Sequence, residues 1–177
     1  MIVHQVQAPI FISCAQDHAT IKPKILEVIA SADKFSHSWG TGRITNTDFH
    51  VKDNFSKGIS EQYWDMFKPN AFQHLSKLCD FFHVPKFNIS TYWFQEYHLG
   101  DQHSWHTHGD CMFSNVYYLS LPDGACKTTF RIFGKEVEFD VSEGDIISFP
   151  SHIVHCSKEH KGQQPKVVIS FNASLGG

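Results

Sequence analysis

Residues 102–119 read QHSWHTHGDCMFSNVYYL and combine a histidine cluster with two segments that alternate as β-strands do. Side chains on a strand point alternately to its two faces, so His106 and His108 would project together, and Trp105 between them would point the other way, into the core. Two imidazoles on one face can bind the same metal ion, because histidine is the commonest metal ligand among the side chains. The segment therefore predicts a metal site carried on a β-sheet.

A third ligand has to come from elsewhere in the chain, and His155 is the best candidate. It ends residues 144–155, GDIISFPSHIVH, which combine a turn, an apolar strand and a proline before the histidine. Three protein ligands leave other coordination positions open to small molecules, as in non-heme iron oxygenases. Imidazole suits iron, zinc, copper and nickel alike, so ligand type alone does not choose the metal.

Asp110 offers an alternative ligand set. His108-Gly109-Asp110 also fits the first half of a site with two histidines and one carboxylate. A carboxylate would neutralise one charge of Fe(II), which favours His108, Asp110 and His155 on electrostatic grounds. The residues alone leave both sets open.

The C-terminal half of the chain predicts a β-rich barrel. Short runs rich in Phe, Tyr, Val and Ile are separated by turns that contain Gly, Pro and Asp. The predicted strands cover residues 87–98, 104–110, 114–121, 127–133, 137–141, 146–149, 153–157 and 166–172. Strands at this density predict a mainly β fold, a jelly-roll or cupin-like barrel with flanking helices.

The first half of the chain predicts a support for this barrel. We expect one domain over residues 1–177, with a strand-plus-helix part at 1–85 and the jelly-roll core at 86–177. Residues 3–13 predict an edge strand around Pro9. Residues 31–55 predict a long loop.

Two helical segments are expected within that support. Residues 21–30 predict a short helix with Pro23 in its first turn. Residues 59–82 predict one or two helices, broken near Pro69. Their apolar residues at helical spacing predict one buried face, made of Phe72, Leu75, Leu78 or Cys79, and Phe82.

Composition and charge exclude several classes of protein. The 177 residues carry a net charge of -3, which argues against nucleic acid as a partner. No apolar run has the roughly 20 residues that a membrane span needs, so we expect no membrane association. The five scattered cysteines form no CxxC pair, and we therefore expect a reducing, cytoplasmic location. The chain could form a homodimer.

Several motifs together resemble a group of 2-oxoglutarate/iron(II)-dependent oxygenases. The histidine pair preceded by Gly100, with SNVYYL at residues 114–119, is similar to that group's HxH and SGVYYL-type strand. Phe149-Pro150-Ser151 followed by His155 matches its FPS…H segment, and residues 166–172, KVVISFN, match its terminal RxSxSFN-like strand. Trp93 and Gln95 stand where the group has a WxN pair.

The resemblance implies a double-stranded β-helix that uses Fe(II), 2-oxoglutarate and O2. Carried over, His106, His108 and His155 would hold the iron and form the catalytic centre, a choice that the spacing to residues 114–119 favours over the set with Asp110. Asn115 and Gly109 depart from the group's usual Gly and Pro.

A third departure concerns the anchor of the co-substrate. Lys166 occupies the position where the group usually places the arginine that binds the distal carboxylate of 2-oxoglutarate. Lys166 and Ser170 share a strand face, and together they could bind a carboxylate, although without the bidentate fork of a guanidinium. Arg131 is the fallback anchor. Tyr117 and Gln95 are the further expected contacts of the oxoacid.

The expected function is a dioxygenase that hydroxylates an unidentified substrate and releases succinate and CO2 from its small-molecule co-substrate. The alternative is a cupin-type metal-binding protein that does not use 2-oxoglutarate, since Gly100, His106 and His108 fit the first cupin motif. That alternative lacks the motif's usual Glu after His108. A metal-free interaction module built on the same barrel is the third hypothesis.

Overall fold

A computed structural model describes residues 8–32, 35–39, 42–49 and 58–176. Within these residues the helices are α1 (His18–Ser31) and α2 (Ile59–Phe82), and neither has the length and apolarity to cross a membrane. The strands are β1 (Phe11–Cys14), β2 (His37–Trp39), β3 (Gly42–Ile44), β4 (Asn46–Thr47), β5 (Lys86–Tyr97), β6 (His103–His106), β7 (Phe113–Ser120), β8 (Thr128–Ile132), β9 (Lys135–Glu138), β10 (Asp145–Pro150), β11 (His155–Ser157) and β12 (Lys166–Gly176).

These strands form two larger sheets and a small hairpin. The major sheet has six strands in the order β1-β10-β7-β12-β5-β4, and the minor sheet has four in the order β6-β11-β8-β9. Strands β2 and β3 pair separately. All of these pairings are antiparallel. The mainly β fold with flanking helices that the sequence predicts is therefore confirmed.

The two faces of the major sheet bury two different apolar cores. On β12, Ile169 and Phe171 point towards the helices, where Phe171 packs on Phe67 of α2 with ring centroids 5.9 Å apart. Val168 points to the opposite face and joins Phe130 of the minor sheet in a second core. The helices thus cover one side of the major sheet, and the minor sheet covers part of the other.

The predicted strands of the C-terminal half are all present, with one difference that concerns the site. The strand expected over residues 104–110 ends at His106, so His108 follows the strand instead of lying on it. In the first half, β1 forms an edge of the major sheet as expected, although residues 3–7 of that prediction lie outside the described residues.

The helices depart from expectation in three ways. Helix α1 begins at His18, which places Pro23 beyond its first turn. Helix α2 runs unbroken through Pro69, because the neighbouring Phe67 and Ala71 are fully buried against the sheet and offset the lost hydrogen bond. Phe72 and Phe82, expected in the core, are 41% and 37% exposed, and only the Leu75, Leu78 and Cys79 part of that face is buried.

The expected loop over residues 31–55 contains strands within its described part. Its short β4 pairs with β5, where Asn46 lies opposite Glu96 and Thr47 opposite Gln95. Both β4 residues are buried. Alternation over two or three residues is too brief to be seen in a sequence, which explains why this pairing was not expected. Residues 50–55 lie outside the described part of the chain.

A buried histidine links α2 to the major sheet. The His74 ring hydrogen-bonds to Ser13 Oγ through Nδ1 and to Ser148 Oγ through Nε2, each at 2.6 Å. Its side chain is buried, and this burial lowers the pKa of His74 from 6.5 to about 4. The folded protein therefore holds this imidazole neutral at a pH where the unfolded chain would protonate it.

We expect this histidine to make the protein less stable in acid. As the pH falls from 6.5 towards about 4, the unfolded state gains a proton that the folded state does not. The free energy of unfolding should fall over that range by up to about 3 kcal/mol from His74 alone. His74→Gln, which retains a donor and an acceptor, should be less stable near neutral pH yet lose less stability on acidification.

Urea unfolding near pH 7 and near pH 5 in the presence of a metal chelator measures this difference. His152→Gln is the matched control, because His152 is exposed and its loss should leave the acid sensitivity as in the parent protein. Equal acid sensitivity in His74→Gln and the parent would show that His74 is not responsible.

Candidate metal centre

Three histidines meet at the end of the minor sheet. Antiparallel pairing of β6 with β11 places His106 directly opposite His155, and His108 follows two residues after β6 ends. The His108 backbone N–H donates to the Ser151 carbonyl at 3.0 Å, which fixes the chain beyond the strand. One ring nitrogen from each histidine lies within 4.8 Å of those of the other two. The group predicted from the sequence is therefore the group that the fold brings together.

Two of the rings are oriented by backbone carbonyls. His106 Nδ1 donates to the Ser104 carbonyl at 2.8 Å, and His155 Nδ1 donates to the Ile153 carbonyl at 2.9 Å. Because a carbonyl only accepts, the proton of each neutral ring sits on Nδ1 and the lone pair sits on Nε2. This arrangement leaves Nε2 of both rings available to a metal ion.

The third ring has a side-chain partner. His108 Nδ1 lies 3.4 Å from Asn172 Nδ2 on β12. A half-turn of the Asn172 amide would present its oxygen, which is the acceptor that a metal-binding tautomer with a protonated Nδ1 needs. Sequence analysis did not single out Asn172. Asn172 lies on the same face of β12 as Lys166 and Ser170, and strand alternation could therefore have predicted that it lines the site.

Burial keeps these rings neutral. Desolvation lowers the pKa of His106, lowers the pKa of His108 to about 4, and lowers the pKa of His155 to about 3. His103 stacks on His106 with ring centroids 4.0 Å apart, and burial lowers its pKa to about 2. Only a neutral imidazole has a lone pair for a metal, so the cluster is ready to bind one at neutral pH.

The alternative ligand set with Asp110 does not form. Asp110 is exposed and does not belong to the histidine cluster among the described residues. The chain leaves β6 at His106, so the strand alternation that would have aligned Asp110 with His108 has already ended. At this cluster the described residues therefore offer a metal three neutral histidines and no carboxylate.

A narrow pocket runs from the histidines between the two sheets. Its walls include Trp93, Gln95 and Tyr97 of β5, and Lys166, Val168, Ser170 and Asn172 of β12. These are alternate residues on each strand, so the same strand faces carry the whole wall. Ser170 Oγ donates to Gln95 Oε1 at 3.4 Å across the two strands. The structure thus places the predicted residues Gln95, Lys166 and Ser170 in one pocket with the histidines.

Lys166 is a buried cation at the far end of this pocket. It is 2% exposed, and its Nζ donates to Ser157 Oγ at 2.6 Å, to the Cys126 carbonyl at 3.1 Å and to Cys126 Sγ at 3.3 Å. The ammonium also lies 4.0 Å from the centroid of the Tyr97 ring. Among the described residues no carboxylate forms an ion pair with it. Desolvation consequently lowers the pKa of Lys166, and an anion in the pocket would offset that cost.

Two residues expected at the co-substrate lie elsewhere. Tyr117 points to the helical side of the major sheet, where its hydroxyl contacts His18 Nδ1 at 2.6 Å and its ring stacks on Phe67 at 4.1 Å. Arg131 is exposed, with its guanidinium 4.2 Å from the centroid of the Trp105 ring. The structure therefore contradicts both predicted contacts.

Trp105 also differs from expectation. The alternation of β6 predicted that it would point into the core, but its ring is half-buried beneath Arg131 at the surface. The described helices pack on the major sheet and not on the outer face of the minor sheet. An arginine side chain covers the ring there instead.

The comparisons with known proteins establish the fold. An oxidoreductase of the 2OG-Fe(II) oxygenase family from Burkholderia pseudomallei is 13% identical, with a TM-score of 0.65 over 93% of this chain and 85% of that chain. The epimerase SnoN in complex with Fe3+, alpha ketoglutarate and nogalamycin RO is 10% identical, with a TM-score of 0.63 over 92% of this chain and 75% of that chain. A Pseudomonas putida prolyl-4-hydroxylase is 13% identical, with a TM-score of 0.57 over 94% and 92%.

No protein-family model matches the sequence, and no curated protein is significantly similar to it. At the low identities of the solved structures the likeness concerns the fold alone. The chain has the double-stranded β-helix fold of the 2OG-Fe(II) oxygenases.

Proposed function

We propose that the protein is a 2-oxoglutarate- and Fe(II)-dependent dioxygenase that hydroxylates a substrate and releases succinate and CO2. One observation carries the proposal. A cluster of three neutral histidines and a buried lysine that forms no ion pair with a described carboxylate line the same pocket of a fold shared with 2OG-Fe(II) oxygenases. The histidines suit a divalent metal, and the lysine suits a carboxylate at the other end of a small dianion.

His106, His108 and His155 would hold the iron through their Nε2 atoms. The Nδ1 hydrogen bonds of His106 and His155 orient these two rings before any metal arrives, so they need little ordering on binding. Bound Fe(II) supplies the activation of O2 that is coupled to decarboxylation of the oxoacid. Three ligands on one side of the metal leave the remaining positions to the oxoacid and O2.

Lys166 would bind the distal carboxylate of 2-oxoglutarate. Its side-chain nitrogen donates to Ser157 Oγ and to both the carbonyl and the Sγ of Cys126, which hold it in position, and a bound carboxylate would replace the weakest of these contacts, the one to the thiol. Ser170 and Gln95 lie between Lys166 and the histidines along the pocket walls and would contact the body of the oxoacid. Water is excluded by burial, since the wall residues Tyr97, Val168 and Lys166 are each at most 3% exposed.

Anaerobic titration with Fe(II) and 2-oxoglutarate tests the metal centre. We expect a visible charge-transfer band, which reports bidentate chelation of the oxoacid at an open iron site. His106→Ala should abolish the band because it removes one ligand, whereas Asp110→Ala should retain it as a matched control near the cluster. Loss of the band in Asp110→Ala alone would contradict the three-histidine assignment.

Thermal unfolding separates the competing functions. Fe(II) should raise the melting temperature, because a metal that binds only the folded state stabilises it by about 2.7 kcal/mol at 100 times its dissociation constant. Stabilisation by metal without any oxoacid-dependent band would favour the cupin-type alternative. Absence of stabilisation by any divalent metal would favour the metal-free module.

Lys166 is tested by replacing its charge. Lys166→Met should weaken 2-oxoglutarate binding to the Zn(II)-loaded protein by at least about 30-fold, because a buried charge pair loses one partner. Metal affinity should change little. The free energy of unfolding of the ligand-free variant should stay level or rise, since an unpaired ammonium no longer has to be buried.

Calorimetric titration measures the two affinities, and urea unfolding measures stability. Lys161→Met, at an exposed lysine, and Arg131→Met, at the rejected anchor, are the controls. Both should bind the oxoacid as the parent does. If 2-oxoglutarate bound more weakly to Arg131→Met and equally well to Lys166→Met, Arg131 and not Lys166 would be the residue that binds its distal carboxylate.

A further inference from the structure

A thiol and an amine meet at the far end of the histidine pocket. Cys126 lies between β7 and β8, and its Sγ is 3.3 Å from Nζ of Lys166, which lines the pocket. The Ser157 hydroxyl lies 2.6 Å from the same nitrogen and 3.2 Å from the same sulfur, so the three atoms form a closed triangle. Among the described residues, no other cysteine sulfur forms a hydrogen bond with an amine.

The packing fixes Cys126 next to Lys166. Lys166 Nζ also donates to the Cys126 carbonyl at 3.1 Å, so Cys126 contacts this nitrogen through both its backbone and its side chain. Two residues later, Thr128 begins β8, and its backbone N–H donates to the buried Tyr118 hydroxyl at 3.1 Å. A covalent step between the sulfur and the nitrogen would therefore need little ordering of either group.

The surroundings of the two groups suit a reaction between them. Lys166 is almost fully buried, and desolvation lowers its pKa, which increases the share of the uncharged amine with its nucleophilic lone pair. Cys126 is only half-buried, and hydrogen peroxide is hardly larger than water. The thiol can therefore meet a small oxidant while the amine next to it remains shielded from water.

We propose that Cys126 and Lys166 form a peroxide-sensitive switch, in which hydrogen peroxide joins Cys126 Sγ to Lys166 Nζ through a reversible sulfenamide bond. The consequence of the switch rests on the proposed function, because the joined nitrogen would no longer be the cation that binds the distal carboxylate of 2-oxoglutarate. The oxidised protein would lose its co-substrate anchor until a thiol reduced the bond.

The bond forms in two steps. The Cys126 sulfur first attacks one oxygen of hydrogen peroxide, so that an S–O bond forms, the O–O bond breaks, and the thiol proton leaves with the departing hydroxide as water. Sulfur loses two electrons, which the peroxide gains, and becomes a sulfenic acid. The Lys166 amine then attacks this sulfur, so that an S–N bond forms, the S–O bond breaks, and the hydroxide leaves as water with one amine proton. One thiol, one amine and one hydrogen peroxide thus give one sulfenamide and two waters.

Peptide mass spectrometry of the metal-free protein tests the bond directly. After mild treatment with hydrogen peroxide, the parent should lose the mass of two hydrogen atoms and yield a peptide pair that links residues 126 and 166. Dithiothreitol should restore the original mass. Lys166→Arg retains a cation but has no nucleophilic lone pair, so its oxidation should stop at a Cys126 sulfenic acid that dimedone traps. Cys111→Ser is the matched control, because Cys111 is also half-buried but contacts the Ser114 hydroxyl, and this variant should cross-link as the parent does.

The effect on the co-substrate anchor is measured by calorimetric titration of the same samples after catalase has removed the peroxide. Loaded with redox-inert Zn(II), the cross-linked protein should bind 2-oxoglutarate at least about 30-fold more weakly than the reduced protein, because it lacks the Lys166 charge. Cys126→Ser retains the backbone contact to Lys166 and should bind 2-oxoglutarate equally well before and after peroxide. Unchanged binding by the cross-linked parent would contradict the loss of the anchor.

Other products of oxidation would overturn the inference. A disulfide between Cys126 and the neighbouring Cys156 also removes two hydrogen atoms, but it would persist in Lys166→Arg and would exclude the sulfenamide. A sulfenic acid in the parent without a link to Lys166, or oxidation of Cys111 before Cys126, would contradict the switch as well.

The failure of the switch and that of the proposed function give different results. Reduced protein that binds 2-oxoglutarate but forms no link to Lys166 would retain the proposed function and reject the switch. A link to Lys166 in a protein that binds no 2-oxoglutarate when reduced would support the bond and contradict the dioxygenase.

Discussion

Antiparallel pairing of β11 with β6 is the contact on which the candidate metal centre depends. Residues 106 and 155 are far apart in sequence, and only this pairing sets them directly opposite each other. β8 holds β11 from the other side, where Phe130 packs against the His155 ring at 6.3 Å between centroids. The candidate metal ligands therefore lie on or next to a sheet whose position is fixed by the core between the two sheets. A shift of one residue in this pairing would turn His155 to the opposite face.

Sequence reasoning found the site where a pattern of chemistry and spacing coincided with strand alternation. The three histidines, Lys166 and Ser170 were all predicted, and the structure brings them to one pocket. Lys166 followed from the resemblance, because it stands where the oxygenase group usually has its arginine, and strand alternation added Ser170 on the same face. Alternation is reliable on β12 because one face of this strand packs against the helices and the other face lines the pocket.

On β7, by contrast, the prediction that Tyr117 would face the pocket was wrong, and the reason is physical. Both faces of that strand are buried, one by α2 and the other by the second core, so both carry bulky residues. Tyr117 and Tyr118 are adjacent tyrosines that face opposite ways, and nothing in the residue types indicates which of them faces the helices. A buried strand lacks the polar side that orients alternation. The predicted orientation of Trp105 was wrong for the converse reason. Its strand, β6, belongs to the minor sheet, and no described helix covers the outer face of that sheet.

No carboxylate of the described residues joins the three histidines, and this changes the charge balance of the proposed site. Three neutral imidazoles leave both charges of Fe(II) uncompensated, and the Lys166 ammonium adds a third positive charge in the same buried pocket. 2-Oxoglutarate brings two negative charges, which match this pocket better than one where a carboxylate ligand has already neutralised part of the metal. The stronger attraction would offset the loss of the bidentate contact that a guanidinium would have made. The same charge makes metal binding alone less favourable, because a dication without an anionic ligand is costly to bury. Metal and co-substrate should therefore bind with positive coupling, each stabilising the site for the other.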